Sequence, residues 1–156
     1  MFKIKIEYLP SYDKEWEKLS YKHPGDSGFD LRAAISEPVT LEPNEFKLIS
    51  CGIKMEMIPD NDMGFNYELQ IRPRSGLAAK HGIGIINSPG TVDFFYRGEI
   101  KTPLINLSDK PFTINPGERI AQAVICPVIQ AQIEETENIE ENTSRGSGGF
   151  GSTGKI

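Results

Sequence analysis

Two groups of side chains in this sequence have the types and spacing to hold a phosphorylated ring. One lies near the C-terminus, Arg145-Gly146-Ser147-Gly148-Gly149-Phe150-Gly151-Ser152-Thr153-Gly154. Glycines dominate it, a single aromatic ring stands in the middle, and an arginine and hydroxyls flank that ring. A segment so poor in apolar side chains cannot offset its own ordering entropy by burial, so alone it is expected to be mobile. Backbone N–H groups and hydroxyls can wrap phosphates, the guanidinium can fork onto them, and Phe150 can stack on a flat ring. The same composition also suits a plain flexible terminus, so its meaning depends on what lies upstream.

The second group is Asn87-Ser88-Pro89-Gly90-Thr91-Val92-Asp93-Phe94-Phe95-Tyr96-Arg97-Gly98-Glu99. A turn at Ser88-Pro89-Gly90 bends two strand-like arms back on each other. Backbone N–H and C=O groups exposed there can read the edge of a base as a pairing partner would. Asn87 adds an amide, Tyr96 a ring that can pack on a sugar, and Asp93 a carboxylate at the rim. An ordinary hairpin with an aromatic core face would account for the phenylalanines but not for the polar residues set around the turn.

Three shorter stretches add to this. Arg72-Pro73-Arg74-Ser75-Gly76-Leu77-Ala78 follows a strand and opens a possible helical turn. An arginine, a hydroxyl and free N–H groups at a helix start form a phosphate-binding set, although arginines beside turns are often merely solvated. In Gly117-Glu118-Arg119-Ile120-Ala121-Gln122, Gln122 can donate to a phosphate or orient a water, or simply face solvent. In Pro24-Gly25-Asp26-Ser27-Gly28-Phe29-Asp30-Leu31-Arg32-Ala33, Asp30 is able to hold a water of a hydrated metal, or to cap the turn.

The elements that must position these residues read as short strands. Phe2 to Tyr8 alternates apolar and charged residues, as a half-buried strand does. Phe46 to Met57, Phe65 to Ile71, Gly98 to Leu107, Phe112 to Ile114 and Arg119 to Val128 follow, punctuated by Pro, Gly, Asn and Asp. One or two helical turns are expected over Asp13 to Leu19 and a short one over Leu77 to His81. Many short strands without a long helix indicate an all-β sandwich or barrel. Residues 1–133 are expected to form the β-barrel domain, and residues 134–156 an acidic linker and flexible glycine-rich arm.

Composition bounds the function. At 156 residues the chain has the length of one domain. A net charge of -5 argues against unspecific nucleic-acid binding, because the phosphate term would be repulsive. A small polyanion would therefore need locally placed cations or a divalent metal. Two cysteines, Cys51 and Cys126, lack metal-ligand spacing and read as reduced thiols of a cytoplasmic protein. No stretch approaches a membrane span or a signal peptide.

In order and spacing these stretches resemble the five motifs of the homotrimeric dUTPases, the deoxyuridine triphosphate nucleotidohydrolases. The matching pieces are Gly28 to Ala33, Pro73 to Ala78, Gly90 to Gly98, Gly117 to Gln122 and Arg145 to Gly154. Each is weak singly, but five in sequence order are specific. The resemblance implies a jelly-roll-like distorted β-barrel with at most one short helix. It also implies a homotrimer with shared active sites and an arm that closes over the substrate.

It further implies roles for single residues. Asp93 matches the aspartate that activates the attacking water. Asn87, with the hairpin backbone through Thr91 and Val92, matches the reader of uracil. Tyr96 matches the tyrosine under the deoxyribose that leaves no space for a 2′-hydroxyl. Arg74, Ser75 and Gly76 match the phosphate-contacting turn, Gln122 a polar contact near the phosphates, and Lys101 a substrate-contacting position of variable identity. Phe150 matches the aromatic that stacks on the base, and Arg145, Gly151, Ser152 and Thr153 the phosphate-wrapping arm. The implied reaction is Mg2+-dependent hydrolysis of dUTP to dUMP and pyrophosphate, which supplies dUMP for dTMP synthesis and limits uracil in DNA. Asp30 would touch the metal only through water, with the ion held mainly by the phosphates. Phe94 and Phe95 depart from the small or acidic residues usual after the aspartate. A dCTP deaminase of related fold would need a glutamate beside the pyrimidine amino group, where Glu99 is poorly placed. A nucleotide-gated regulatory binding protein would leave Asp93 idle.

Overall fold

The computed structural model describes residues 2–59, 66–140, 142–144 and 146–147. Among these the chain forms short antiparallel strands in four small sheets that wrap one apolar interior. Strand β1 (Lys3–Tyr8) pairs with β5 (Ile53–Ile58), and β3 (Val39–Leu41) with β10 (Phe112–Ile114). Strand β4 (Phe46–Ser50), β9 (Lys101–Asn106) and β7 (Ile83–Ile85) form a third sheet with β9 in the centre. The largest sheet runs in the order β2 (Phe29–Arg32), β11 (Arg119–Val128), β6 (Asn66–Pro73) and β8 (Gly90–Val92). This is the expected all-β, jelly-roll-like architecture.

Period-two burial explains why these segments are strands. Along β5 and β6 every second residue is buried, so Ile53, Met55 and Met57, and Tyr67, Leu69 and Ile71, point inward. Leu31, Leu41, Ile53, Leu69 and Ile114 have no accessible surface and centre the core. Two polar side chains share that burial. Asn106 donates from Nδ2 to the carbonyls of Leu41 (2.9 Å) and Lys110 (2.7 Å), and its Oδ1 accepts from Ser108 N–H (3.0 Å) and Oγ (2.8 Å). With each of its bonding groups matched, it ties β9 to β3 and to the 107–111 turn without a desolvation penalty. Thr102 lies 3.4 Å from the Cys51 sulfur.

Three expectations need adjustment. The stretch expected as one strand from Phe46 to Met57 is two, because Gly52 takes a positive φ of 64° between them. A Cβ there would also lie 2.6 Å from the Ala34 Cβ, so glycine is required for the break. Asp13 to Leu19 forms turns rather than helix. Its polar groups are taken otherwise: Asp13 Oδ1 accepts from Glu15 N–H (2.9 Å), and the Tyr12 hydroxyl donates to the Glu17 carbonyl (2.6 Å). Such side-chain bonds compete with the helical ladder. The helix expected from Leu77 starts earlier, as α1 (Ser75–His81), and ends on Gly82 in the left-handed conformation. No described helix is long and apolar enough to cross a membrane.

Both cysteines are free thiols, Cys51 buried and Cys126 half-buried. Burial pushes the Cys51 thiol up to about 12 from its ordinary 9.0, with the Glu99 carboxylate adding to the shift and the Thr102 hydroxyl opposing it. The folded chain then holds this proton more tightly than the unfolded one. Stability is unaffected below the unfolded value and is lost as pH climbs from about 9 towards 12. At pH 8 a thiol-reactive disulfide reagent is expected to label Cys126 alone in the native protein and both cysteines in denaturant. Rapid native labelling of Cys51 would contradict its placement.

Candidate active site

The largest sheet delivers chemistry to two clefts. Strand β6 is bonded along both edges, to β11 and to β8. Past its end the chain turns at Pro73 into Arg74, the N-cap of α1, whose backbone is still extended. The first intrahelical bond runs from Ala78 N–H to the Arg74 carbonyl (3.0 Å). The N–H groups of Ser75, Gly76 and Leu77 precede it and have no partner within the helix.

Beside this turn, Asp30 on β2, Gln122 on β11 and Arg72 on β6 stand in one cross-strand row. Gln122 donates from Nε2 to the Pro73 carbonyl (3.1 Å), fixing the turn from below. Asp30 binds two guanidinium groups, one on each oxygen: Arg74 Nε at 2.9 Å and Arg119 Nη1 at 3.2 Å. Arg74 Nη1 donates to the Arg119 carbonyl at 3.0 Å. Asp30, Arg74, Arg119 and Gln122 line a cleft of about 540 Å3 together with residues from the 17–32 segment. Lys18, Lys22, Arg32, Arg74 and Arg119 outnumber the cleft's carboxylates, Glu17, Asp26 and Asp30. A chain of net charge -5 thus has a locally cationic cleft, which suits an anion. Lys22 bonds Glu17 at 3.1 Å and holds that exposed carboxyl below its ordinary value.

The second cleft, also about 540 Å3, is lined by Asn87, Gly90, Thr91, Val92, Asp93, Tyr96, Glu99 and Lys101 over a floor of Ile71 and Ile100. Strand β8 is the outer strand of its sheet, so one of its edges has backbone groups left to pair with something else. The peptide bond Ser88–Pro89 just before it is cis. A Cβ on Gly90 would touch the Asn87 amide at 3.5 Å, which places that amide over the hairpin. The Asp93 carboxylate is exposed and takes no hydrogen bond among the described residues, while its carbonyl accepts from Tyr96 N–H (3.0 Å) to close the turn.

Tyr96 folds back so that its hydroxyl donates to the Glu99 carbonyl (3.1 Å). Its ring fills the space where any side chain at Gly98 would begin. The Glu99 carboxylate accepts a short hydrogen bond from the Ser50 hydroxyl and pairs with Lys101 at 3.4 Å. Phe94 is buried and Phe95 is exposed, their rings meeting edge-to-face at 5.0 Å. The two phenylalanines therefore leave the polar rim intact: one joins the core and the other does not line Asp93's cleft.

No described residue lines both clefts. Arg74, Ser75, Gly76, Gln122 and Asp30 belong to the cationic one, and Asn87, Thr91, Val92, Asp93, Tyr96 and Lys101 to the other. Arg145, Phe150, Gly151 and Ser152 lie outside the described residues. Sequence reasoning passed over Arg119, although it stands three positions before Gln122, and undervalued Glu99. Arg97, grouped with the polar rim in the sequence, instead donates to the carbonyls of Phe94 (2.9 Å) and Tyr96 (3.0 Å) and staples the turn. Among the described residues no three His, Cys, Asp or Glu side chains gather as a metal cage. Both Asp30 oxygens already carry a guanidinium. The donor set fits a divalent cation that arrives on a ligand's phosphates, not one caged by the described residues.

A family model described as dUTPase matches residues 14–154. The chain belongs to the dUTPase family. It is 55% identical over 150 residues to the deoxyuridine 5'-triphosphate nucleotidohydrolase of Neorickettsia sennetsu, covering 96% of this chain and 95% of that one. The Chlamydia pneumoniae enzyme of the same name is 53% identical over 142 residues, 91% and 94% of the two chains. Among solved structures, Staphylococcus bacteriophage 80alpha dUTPase with dUPNHPP superposes with a TM-score of 0.80 at 26% identity, over 97% of this chain and 98% of that one.

The fit of Tyr96 over Gly98 gives a direct test within this dUTPase fold. Gly98→Ala is expected to displace the ring and to cost about 1–3 kcal/mol, the usual range for overpacking. Urea unfolding would show this as a lower midpoint, and an unchanged midpoint would mean that the ring does not rest on Gly98.

Proposed function

We propose that this chain hydrolyses dUTP to dUMP and pyrophosphate at sites assembled between protomers of a homotrimer, the phosphate half from one and the uridine half from another. The observation that carries this reading is the separation of the two residue sets into two clefts of one chain. Each half is well formed and neither is complete. A triphosphate bound beside Arg74 has no nearby Asp93 from the same cleft, and a nucleoside bound beside Tyr96 has no cation set. Bringing one chain's cleft against another's makes a whole site.

The surface supports such a union. Phe46, Leu48 and Ile86 are 57%, 62% and 50% exposed, and Leu107 is 65% exposed. Phe46 and Leu48 lie on β4, while Ile86 directly follows β7 and Leu107 directly follows β9 of the same three-stranded sheet, and Leu48 also lines the Asp93 cleft. An apolar face of this kind at the rim of a site suits a subunit contact.

In the proposed reaction, the free β8 edge and the Asn87 amide read uracil. The Tyr96 ring lies under the deoxyribose. Arg74, the N–H groups of Ser75 and Gly76, and Gln122 hold the phosphates. Lys101, fixed by Glu99, adds a charge on the sugar side. The Asp93 carboxylate, without other hydrogen bonds among the described residues, accepts a proton from a water whose oxygen bonds to the α-phosphorus, and the bond from that phosphorus to the bridging oxygen breaks to release pyrophosphate. Mg2+, entering on the substrate, would lower the charge on the phosphate oxygens. Because a carboxylate is a weak base at neutral pH, most of the acceleration comes from positioning and electrostatics. Residues 134–156 act as linker and arm, with Arg145, Phe150, Gly151 and Ser152 closing over the nucleotide. The two unpaired thiols suit a cytoplasmic setting.

Asp93→Asn is expected to keep dUTP binding and to lower turnover by about 10²–10⁴-fold, read by pyrophosphate release. Near-normal turnover would remove Asp93 as the base. Mixing Asp93→Asn chains with Arg74→Gln chains, each nearly inactive alone, is expected to restore activity after subunit exchange, because some sites then receive two intact halves. Absence of recovery despite proven exchange would place both halves in one protomer.

A further inference from the structure

We propose that Ser50 and Glu99 are positioning residues for the Tyr96 ring, and that discrimination between deoxyribose and ribose triphosphates depends on the contact between them. This rests on the proposed reading of the Asp93 cleft as the uridine half of the site, in which the Tyr96 ring lies under the sugar. A ring that refuses a sugar bearing one more hydroxyl does so by occupying space. A wall that yields loses that selectivity, because the added hydroxyl changes little else in the ligand. What stiffens Tyr96 therefore matters as much as where it lies.

The phenol is held at both ends. Its ring rests over Gly98, and its hydroxyl donates to the Glu99 carbonyl at 3.1 Å. That carbonyl belongs to the Glu99–Ile100 peptide, whose N–H donates to the Ile53 carbonyl at 2.9 Å. A peptide bonded at both ends is polarised and makes the stronger acceptor. The Ile100 carbonyl in turn accepts from Cys51 N–H at 3.0 Å. Residues 51–53 thus hold the backbone just past the hairpin.

Side chains extend this grip to Glu99 itself. The Ser50 hydroxyl donates a short hydrogen bond to Glu99 Oε1 and accepts from Gly52 N–H at 3.2 Å. Glu99 Oε2 pairs with Lys101 Nζ at 3.4 Å, and Lys101 stands opposite Ser50 in the ladder between β4 and β9. The Glu99 side chain is only 24% exposed, so water competes weakly for its carboxylate. One residue therefore links β4 to the phenol, through its carboxylate on one side and its carbonyl on the other. Ser50 does not line the cleft, so a change there reaches a bound nucleotide through Glu99.

The test is kcat/KM for dUTP and for UTP, read by pyrophosphate release from the full chain with Mg2+, with urea unfolding alongside. Ser50→Ala is expected to lower the dUTP-to-UTP ratio by about three- to tenfold, mainly by raising the UTP value, the scale of one hydrogen bond of ordinary net strength. Ser50→Thr keeps the hydroxyl and should restore most of the ratio. Tyr96→Phe removes the anchored oxygen, keeps the ring, and should lower the ratio at least as far. Adding Ser50→Ala to Tyr96→Phe should then change the ratio no further, as expected of residues that act through one contact. Should Ser50→Ala fail to fold, Glu99→Gln, of nearly equal volume, takes its place in the same comparison.

An unchanged ratio in the folded variants would overturn the proposal. So would dUTP and UTP values that fall together, which would leave Ser50 and Glu99 a structural role only, or effects that multiply in the double variant. A parent chain that leaves dUTP intact, or cleaves UTP equally well, would instead sink the reading of the cleft.

Discussion

Strand β6 constrains everything else in this molecule, because it is hydrogen-bonded along both edges. Its pairing with β11 runs from Val128↔Asn66 to Ala121↔Pro73, and its pairing with β8 from Leu69↔Val92 to Ile71↔Gly90. A one-residue slip on either side would turn Leu69 and Ile71 out of the core, so the register is fixed by burial. That register decides where the chemistry goes. The end of β6 releases Arg74 beside β11 and β2, while β8 carries Thr91, Val92 and Asp93 away on the far edge. The two clefts are opposite products of one sheet.

Glycine sets the fine geometry at two points on this frame. Gly98 clears space for the Tyr96 ring, and Gly52, at positive φ, breaks the long apolar run so that β5 can turn back beside β1. At both positions a Cβ would meet its neighbour inside van der Waals distance, and at Gly52 the positive φ adds a conformational requirement to the steric one. Ser50, just ahead of Gly52, is thereby presented to Glu99. Glu99 in turn holds Lys101. A loop glycine in one sheet therefore reaches the site through two hydrogen-bonded side chains.

The sequence made the strands of the larger sheets legible because alternation is a local property. Phe112–Ile114 and Arg119–Val128 are bounded as their turn residues imply. Short strands such as Val39–Leu41 and Ile83–Ile85 offer too few residues to display a period, and tertiary pairing alone defines them. Motif order singled out Asn87, Asp93, Tyr96, Arg74 and Gln122, and all five line clefts. What could not be read locally is partnership across sequence distance. Nothing near Asp30 announces that its carboxylate meets Arg74 and Arg119, 44 and 89 positions away. Nor does the hairpin reveal that Arg97 turns back onto its own backbone. The sequence could not show that the two residue sets lie in different clefts, because that follows from sheet order.

The division of labour also bears on selectivity. On the proposed assembly, base and sugar meet a hairpin that offers backbone edges, an amide and a folded-back phenol, with the charged groups Asp93, Glu99 and Lys101 beside them. On the same proposal, phosphates meet arginines, N–H groups and an amide in the locally cationic cleft of an otherwise acidic chain. An uncharged uridine gains nothing from the cationic half, and free pyrophosphate gains nothing from the hairpin. On the proposed assembly only a ligand that presents both chemistries at the right separation collects both sets of contacts at once, and linking two modest interactions in one molecule multiplies their equilibrium constants. Cleavage undoes that linkage by separating dUMP from pyrophosphate. Each product then keeps one half of the contacts, so the arrangement that favours the intact triphosphate also disfavours retention of what it becomes.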